Sequence, residues 1–343
     1  LRMNVAFFIP PPAQRIGGLE AAIESLRTAL ERRGVPVTND LNGAHTVAHF
    51  HGLWQRPFAR LAADCRARNI PYVVSPHGML EPWAWRHKWW KKWPYFQLVE
   101  KGMLNGADLV VATAAAEARR LQAFLPRQRI EAVPLGLTGD ARPEYENARR
   151  QLGWAPHERV LLFLSRIHVK KGLNLLLEAL ASMPHPEHLR LVVVGEGAKD
   201  YVRGLHHFAD KHAAELPRID WQGAVWGYER WPYFQGADLF CLPTHSENFG
   251  LAVLEACQVG TPVLTTTGTP WADDLGNGRG YISEPSVESI RDALQIYFSR
   301  PILEASARQA LSDWAWSTFN WDVLSDQYSS IYRRLLTSTE KHG

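Results

Sequence analysis

The sequence predicts an α/β protein made of two doubly wound domains, and three observations carry that prediction. Short apolar runs bounded by glycine and proline alternate with stretches of helical periodicity, the pattern of a parallel sheet with crossover helices. The pentapeptide Trp-Pro-Tyr-Phe-Gln occurs at 93–97 and again at 231–235. Each copy is followed by Gly-Ala-Asp-Leu, at 106–109 and 236–239, running into an apolar segment, so the two halves are alike. The period is too long, and two copies are too few, for a solenoid. Between the halves, residues 138–150 are polar, contain Gly139 and Pro143, and read as a linker. The expected division is a first domain over 1–137, a second over 138–318 and a final helical segment over 319–343.

Residues 5–9 form the first strand. Gly17 and Gly18 then open a helix over 19–33, apolar at 19, 22, 23, 26, 29 and 30 and stopped by Gly34. A glycine pair in that place lets backbone amides approach a phosphate closely. Strands follow at 46–50, 72–75 and 109–112. His49, His51 and His77 stand at strand ends, where histidines suit either zinc or ordinary hydrogen-bonded positions.

Residues 81–101 interleave Trp83, Trp85, Trp89, Trp90 and Trp93 with Arg86, His87, Lys88, Lys91, Lys92 and Lys101. Rings and cations in that mixture suit the surface of an anionic membrane. Three other readings fit the same letters: a groove stacking acceptor sugars, a single-stranded nucleic acid site, and a half-buried helix with a basic face.

In the second half, the strand 160–164 enters Ser165-Arg166-Ile167-His168-Val169-Lys170-Lys171-Gly172 and then a helix over 173–183. A strand, a basic loop and a helix mouth make an anion site, in which Arg166 can fork onto phosphate and Lys171 adds a point charge. The strand 191–194 enters Gly195-Glu196-Gly197, and no third glycine opens a helix there, which disfavours a dinucleotide fingerprint.

Residues 244–260 are the most informative run. The strand 237–242 enters it and the strand 262–265 leaves it. Leu251, Val253, Leu254 and Cys257 recur at helical spacing, with Gly260 at the stop. Asn248 or Ser246 is expected as N-cap, which puts Glu247 at the helix mouth and Glu255 roughly 8–12 Å further along. Two carboxylates at the carboxyl end of a strand, beside helix amides, suit a ligand bearing both hydroxyls and phosphates. A sugar nucleotide is such a ligand.

Composition narrows the classes. With 343 residues, 46% hydrophobic and 21% charged, the chain is that of a globular protein with sizeable cores. No apolar run is long enough to span a bilayer. No signal peptide is expected, because Arg2-Met3-Asn4 leads straight into a strand. Cys65, Cys241 and Cys257 are odd in number and widely spaced, against a disulfide framework or a cysteine metal site, so a cytoplasmic location is expected. A net charge of +3 does not by itself imply nucleic acid.

Glu247-Asn248-Phe249-Gly250-Leu251, with Glu255 eight positions after Glu247 and Gly260-Thr261-Pro262-Val263 beyond, resembles the two-glutamate region of family 4 of the retaining glycosyltransferases (group 1). Residues 165–172 resemble the segment in which those enzymes hold the donor diphosphate, and the likeness runs from Gly17-Gly18 to the last helix. It implies the GT-B fold: two Rossmann-like domains, the first binding acceptor and the second nucleotide sugar, with a C-terminal helix returning to the first. It implies a metal-independent, retaining hexosyltransferase with no cofactor, using a nucleotide-sugar co-substrate, UDP-sugar favoured over GDP-sugar.

By the same resemblance His77, Arg166, Lys171 and Glu247 are catalytic. Gly17, Gly18, Gly195, Val225, Asn248, Phe249, Gly250, Leu251 and Glu255 bind the donor. Trp85, Lys88, Trp89, Lys91 and Lys92 form a membrane or acceptor surface, suiting a lipid-linked intermediate of surface polysaccharide or lipopolysaccharide assembly at the inner face of the cytoplasmic membrane. The chain departs from the family at Pro270-Trp271-Ala272-Asp273-Asp274, where a glycine pair and a glutamate are frequent. A sugar-nucleotide epimerase of the same fold and a non-catalytic sugar-nucleotide or polysaccharide-binding module are the alternative readings.

Overall fold

A computed structural model describes residues 3–11, 17–81 and 89–340. The chain divides into two compact units, Leu1–Thr138 with Phe319–Gly343, and Gly139–Thr318.

In the first unit the described strands are β1 (Asn4–Phe8), β2 (Val37–Thr38), β3 (Thr46–His51), β4 (Tyr72–Ser75), β5 (Leu109–Ala112) and β6 (Ile130–Ala132), in one parallel sheet of order β2-β1-β3-β4-β5-β6. Every residue of β3, β4 and β5 is buried, as expected of parallel strands covered on both faces. Alternate residues feed two cores. Phe50, Tyr72, Val74 and Val110 pack on one face, and Val5, Val47, Val73 and Val111 on the other. That second core is closed by Leu324, Tyr328, Ile331, Tyr332 and Leu335 of the helix Trp321–Glu340, whose spacing is that of a single helical stripe. Gly136 lies so close under the Trp321 ring that an added Cβ would stand 2.5 Å from it, and the indole N–H donates to the Leu137 carbonyl at 2.9 Å.

The first helix is Gly17–Arg32, two residues earlier than its periodicity suggests. The Trp/Lys segment is described from residue 89 on, as a helix Trp89–Tyr95 running into a π-helical turn, Phe96–Glu100. Trp85 and Lys88 lie outside the described residues, as do the side chains of Trp89 and Lys91. No helix among the described residues is long and apolar enough to cross a membrane.

The second unit repeats the plan with β7 (Arg159–Leu164), β8 (Leu189–Val194), β9 (Arg218–Gly223), β10 (Leu239–Leu242), β11 (Val263–Thr266) and β12 (Gly280–Ser283), all parallel in the order β12-β11-β10-β7-β8-β9. The chain runs outward from β7 through β8 and β9 and returns on the other side of β7 as β10. This reversal leaves a crevice beyond the carboxyl ends of β7 and β10, where open α/β sheets bind ligands.

The repeated Gly-Ala-Asp-Leu has the same job in both units. Asp108, just before β5, accepts from the Tyr72 amide at 2.8 Å and donates its own amide to the Tyr72 carbonyl. Asp238, just before β10, accepts from the Val160 amide at 2.7 Å and donates to the Val160 carbonyl. Each aspartate thus fastens its strand to the start of a neighbour.

Asp238 also explains a departure from the sequence reading. Residues 145–152 fall partly in the expected linker but form a helix, Tyr145–Leu152. Its polarity is not that of a solvated loop: buried Arg149 pairs with buried Asp238 at 3.0 Å, and the Tyr145 hydroxyl donates to the same carboxylate at 2.6 Å.

Candidate active site

The site begins with two loops that leave the sheet at its reversal, residues 165–172 after β7 and 243–250 after β10. Glycines let them lie against their neighbours. Gly172, at φ 72°, ends the 3-10 turn Val169–Lys171, and a Cβ there would sit 1.9 Å from the Pro243 carbonyl oxygen. Gly195 and Gly197 make room in the same way for the backbone of Ser165 and Ile167, and the Ile167 amide donates to the Glu196 carbonyl at 2.7 Å. The family-like glycine pair therefore has a packing role of its own. Across the reversal, the Lys170 carbonyl accepts from the His245 amide and the Thr244 hydroxyl, both at 2.8 Å.

This joinery brings the predicted charges together. The Lys171 ammonium forms an ion pair with the Glu247 carboxylate, and both side chains are mostly buried, at 14% and 12% exposure. Arg166, on the same loop, is exposed and makes no ion pair among the described residues. The local field is positive: burial first, then Arg166, Lys170 and Lys171, lower the pKa of His168.

The expected N-cap needs correction. The helix is Leu251–Gln258, entered through Gly250 at φ 82°, and neither Asn248 nor Ser246 caps it. Glu247 consequently sits in the preceding turn rather than at the helix mouth, with its amide donating to the Gly268 carbonyl at 2.9 Å. Buried Trp271, from the segment that departs from the family, supports that turn. Its indole N–H donates to the Phe249 carbonyl and its ring packs 5.1 Å from the Phe249 ring.

Glu255, on the buried side of the helix, forms an ion pair at 2.9 Å with Arg230, a residue not expected from the sequence. A signal was present: a basic residue precedes both copies of Trp-Pro-Tyr-Phe-Gln, Lys92 in one and Arg230 in the other. Val225 is half-buried in the turn after β9. Nearby, a cleft of about 490 Å³ is lined by Ile167, Gly195, Gly197, His206, Trp221 and Gly223.

In the first unit, Gly17 and Gly18 start the first helix, and Gly18 is exposed. His77 and Gly78 both have positive φ, 51° and 73°, a strained backbone for a histidine. The turn is held by Glu117, which accepts from the Gly78 amide at 2.6 Å and the Thr113 amide at 2.7 Å. Burial drives the His77 pKa down to about 3, so the ring is neutral. Its Nε2 meets Nδ1 of His51 at 3.2 Å with the rings nearly parallel, while its buried Nδ1 has no hydrogen-bond partner among the described residues. His49 is engaged on both sides, by the Tyr332 hydroxyl at 2.7 Å and the Ser75 hydroxyl at 2.8 Å. Among the described residues no group of three or more His, Cys, Asp or Glu is placed to hold a metal ion.

Lys92 approaches the Trp54 ring to 6.0 Å. Trp90, Trp93 and Leu98, close to Lys92 in the sequence, are 59%, 47% and 83% exposed.

Residues 144–313 match the family described as glycosyl transferases group 1, and residues 41–138 match Glycosyltransferase Family 4. The D-inositol 3-phosphate glycosyltransferase of Mycobacterium avium is 29% identical over 255 residues, 71% of this chain and 59% of the relative. The alignments to the first curated relatives span 40–59% of their lengths. Among solved structures, sucrose-phosphate synthase from Thermosynechococcus elongatus superposes with a TM-score of 0.77 at 19% identity, over 98% of this chain and 100% of that one. Anabaena Alr3699/HepE in complex with UDP gives 0.73 at 18% identity, over 97% and 100%. At those identities the two structures establish the fold, the two-domain GT-B architecture.

Proposed function

Because its two halves match group 1 and family 4 in turn, the chain belongs to the family 4 glycosyltransferases, and we propose that it moves a hexosyl group from a nucleoside diphosphate sugar to an acceptor hydroxyl. The observation that carries this reading is the Lys171–Glu247 pair at the sheet reversal, with exposed Arg166 on the same loop as Lys171. Arg166 and Lys171 would neutralise the diphosphate as the bond from the sugar C1 to the phosphate oxygen breaks, electrostatic work done without a metal. Glu247, with the Phe249 and Gly250 amides, would hold the sugar, and Glu255 the ribose hydroxyls. The turn at Val225, beside the cleft that Trp221 and Gly223 line, would take the base. HepE binds UDP, which favours a UDP-sugar here.

The reaction would retain configuration, the acceptor oxygen entering on the face the diphosphate leaves while a donor phosphate oxygen takes the acceptor proton. His77, neutral and with one buried ring nitrogen unpartnered among the described residues, would serve as a hydrogen-bonding group to sugar rather than as a charge.

For the acceptor, the exposed Trp90, Trp93 and Leu98, close to Lys92 in the sequence, favour a lipid-linked intermediate of surface-glycan assembly reached at an anionic membrane. The name of the Mycobacterium avium relative supports a second reading, a small phosphorylated polyol.

The deciding experiment is a thermal-shift panel of UDP, GDP, ADP and their sugars. A nucleotide at 100 times its Kd adds about 2.7 kcal/mol and raises the midpoint by several degrees. One nucleotide standing out supports the reading and names the donor class. No shift with any of them overturns it.

A further inference from the structure

Resting on that reading, we infer that Arg230 is the positioning residue for ribose recognition, holding the Glu255 carboxylate aimed so that the nucleotide is bound through its ribose hydroxyls. The guanidinium is held on several sides. Nη2 meets Glu255 Oε1 at 2.9 Å, Nη1 donates to the Gly227 carbonyl at 2.6 Å, and the Trp231 ring lies 4.7 Å from Cζ. Trp231 is itself buried. Arg230 ends the short turn Gly227–Arg230, directly after the Val225 loop, so its backbone belongs to the same wall of the site.

Glu255 is equally constrained. It is buried in the helix Leu251–Gln258 between Leu254 and Ala256, which are buried too. A polar group in such surroundings is costly unless it is hydrogen-bonded, and the Arg230 guanidinium supplies that bond. Arginine suits that task better than lysine, because its fork can take a carbonyl and a carboxylate together.

The two ion pairs of the site therefore differ in kind. Lys171 is a point charge on a flexible stem and can exchange Glu247 for an arriving phosphate. Arg230 is tied to Gly227 and Trp231 and stays with Glu255 whether or not a donor is bound. Its contribution falls on affinity for the ribose, not on departure of the diphosphate.

The test compares a nucleoside diphosphate with its 2′,3′-dideoxy analogue by calorimetry, using whichever of UDP, GDP and ADP stabilises the parent most. The parent should bind the dideoxy analogue about 10- to 100-fold more weakly, the cost of losing the ribose hydrogen bonds to Glu255. In Arg230→Met that discrimination should shrink to within about threefold, with donor KM raised and kcat changed far less. Arg230→Lys, which keeps the charge and loses the fork, should fall between them and guards against misfolding of the Met variant. If both Arg230 variants keep the parental discrimination while Glu255→Gln loses it, the inference fails and the ribose role of Glu255 stands. If Glu255→Gln also keeps it, the ribose assignment itself is wrong. Failure of the parent to bind any nucleoside diphosphate overturns both.

Discussion

Lys171→Met isolates the charge on which the proposed chemistry depends. The ammonium sits at the end of the Val169–Lys171 turn, paired with Glu247, and both side chains are less than one-sixth exposed. A unit charge about 4 Å from a phosphate oxygen, at an effective dielectric constant near 20, is worth roughly 4 kcal/mol. Part of that is offset, because Lys171 must first release Glu247. What remains is close to the loss measured when one preorganised donor to a developing oxyanion is removed, about 2.7–4 kcal/mol or 10²–10³ in kcat.

The assay is steady-state release of the nucleoside diphosphate with saturating donor and acceptor, on Lys171→Met, Glu247→Gln and the double variant. Lys171→Met should lose 10²–10³ in kcat, and the double variant should be slower than Glu247→Gln by a similar factor. If lysine served only to neutralise Glu247, removing it would cost nothing once Glu247 is Gln. A double variant no slower than Glu247→Gln, or Lys171→Met within about threefold of the parent, would refute the assignment of Lys171 to the diphosphate.

Three further outcomes are expected. Tyr332→Phe strips the hydroxyl that meets buried His49 at 2.7 Å, and leaving that ring nitrogen unpaired should cost about 1–3 kcal/mol, seen as a fall of several degrees in the calorimetric transition of the first unit. Glu100 is buried on the π-helical turn and accepts from the Trp54 amide at 2.8 Å, and burial lifts its pKa from 4.5 to about 7. The folded protein thus holds a proton that the unfolded chain releases, so stability falls as pH rises from 4.5 through 7. Glu100→Gln keeps an acceptor for Trp54, should flatten that slope, and should gain up to about 3 kcal/mol over the parent at pH 8, read from urea midpoints at pH 5 and pH 8. Finally, replacing Lys88, Lys91 and Lys92 together by Glu should abolish co-sedimentation with anionic liposomes; unchanged binding, or none by the parent, removes the membrane proposal.

What was legible in the sequence was what is local. The strands announce themselves because parallel strands buried on both faces are continuous apolar runs, as in 160–163 and 191–194. The 165–172 loop is legible because Gly172 must fit against Pro243 and a left-handed turn favours glycine. Contacts made at long separation were not. The Tyr145–Leu152 helix reads as linker because Arg149 finds its counter-charge 89 residues away in Asp238. Arg230 stays hidden because Glu255 is 25 residues on, and the place of Asn248 is overruled because Gly250 and Trp271 together set where the helix starts. β9 escapes notice for another reason: most of it is half-buried or exposed, so its letters carry no apolar run.

The aspartate fastenings separate what holds the protein together from what it selects. Asp238 grips the amino-terminal start of β7, as Asp108 does that of β4 in its own unit, whereas Lys171 emerges beyond the carboxyl end of β7, about 20 Å from Asp238 along a six-residue strand. Loops 165–172 and 243–250 can therefore diverge without disturbing the tie that secures their strands. On the proposed function, exchanging those two loops as a matched pair, with Gly172 and Pro243 kept in register, is the change expected to alter the donor sugar while leaving the tie at Asp238 untouched.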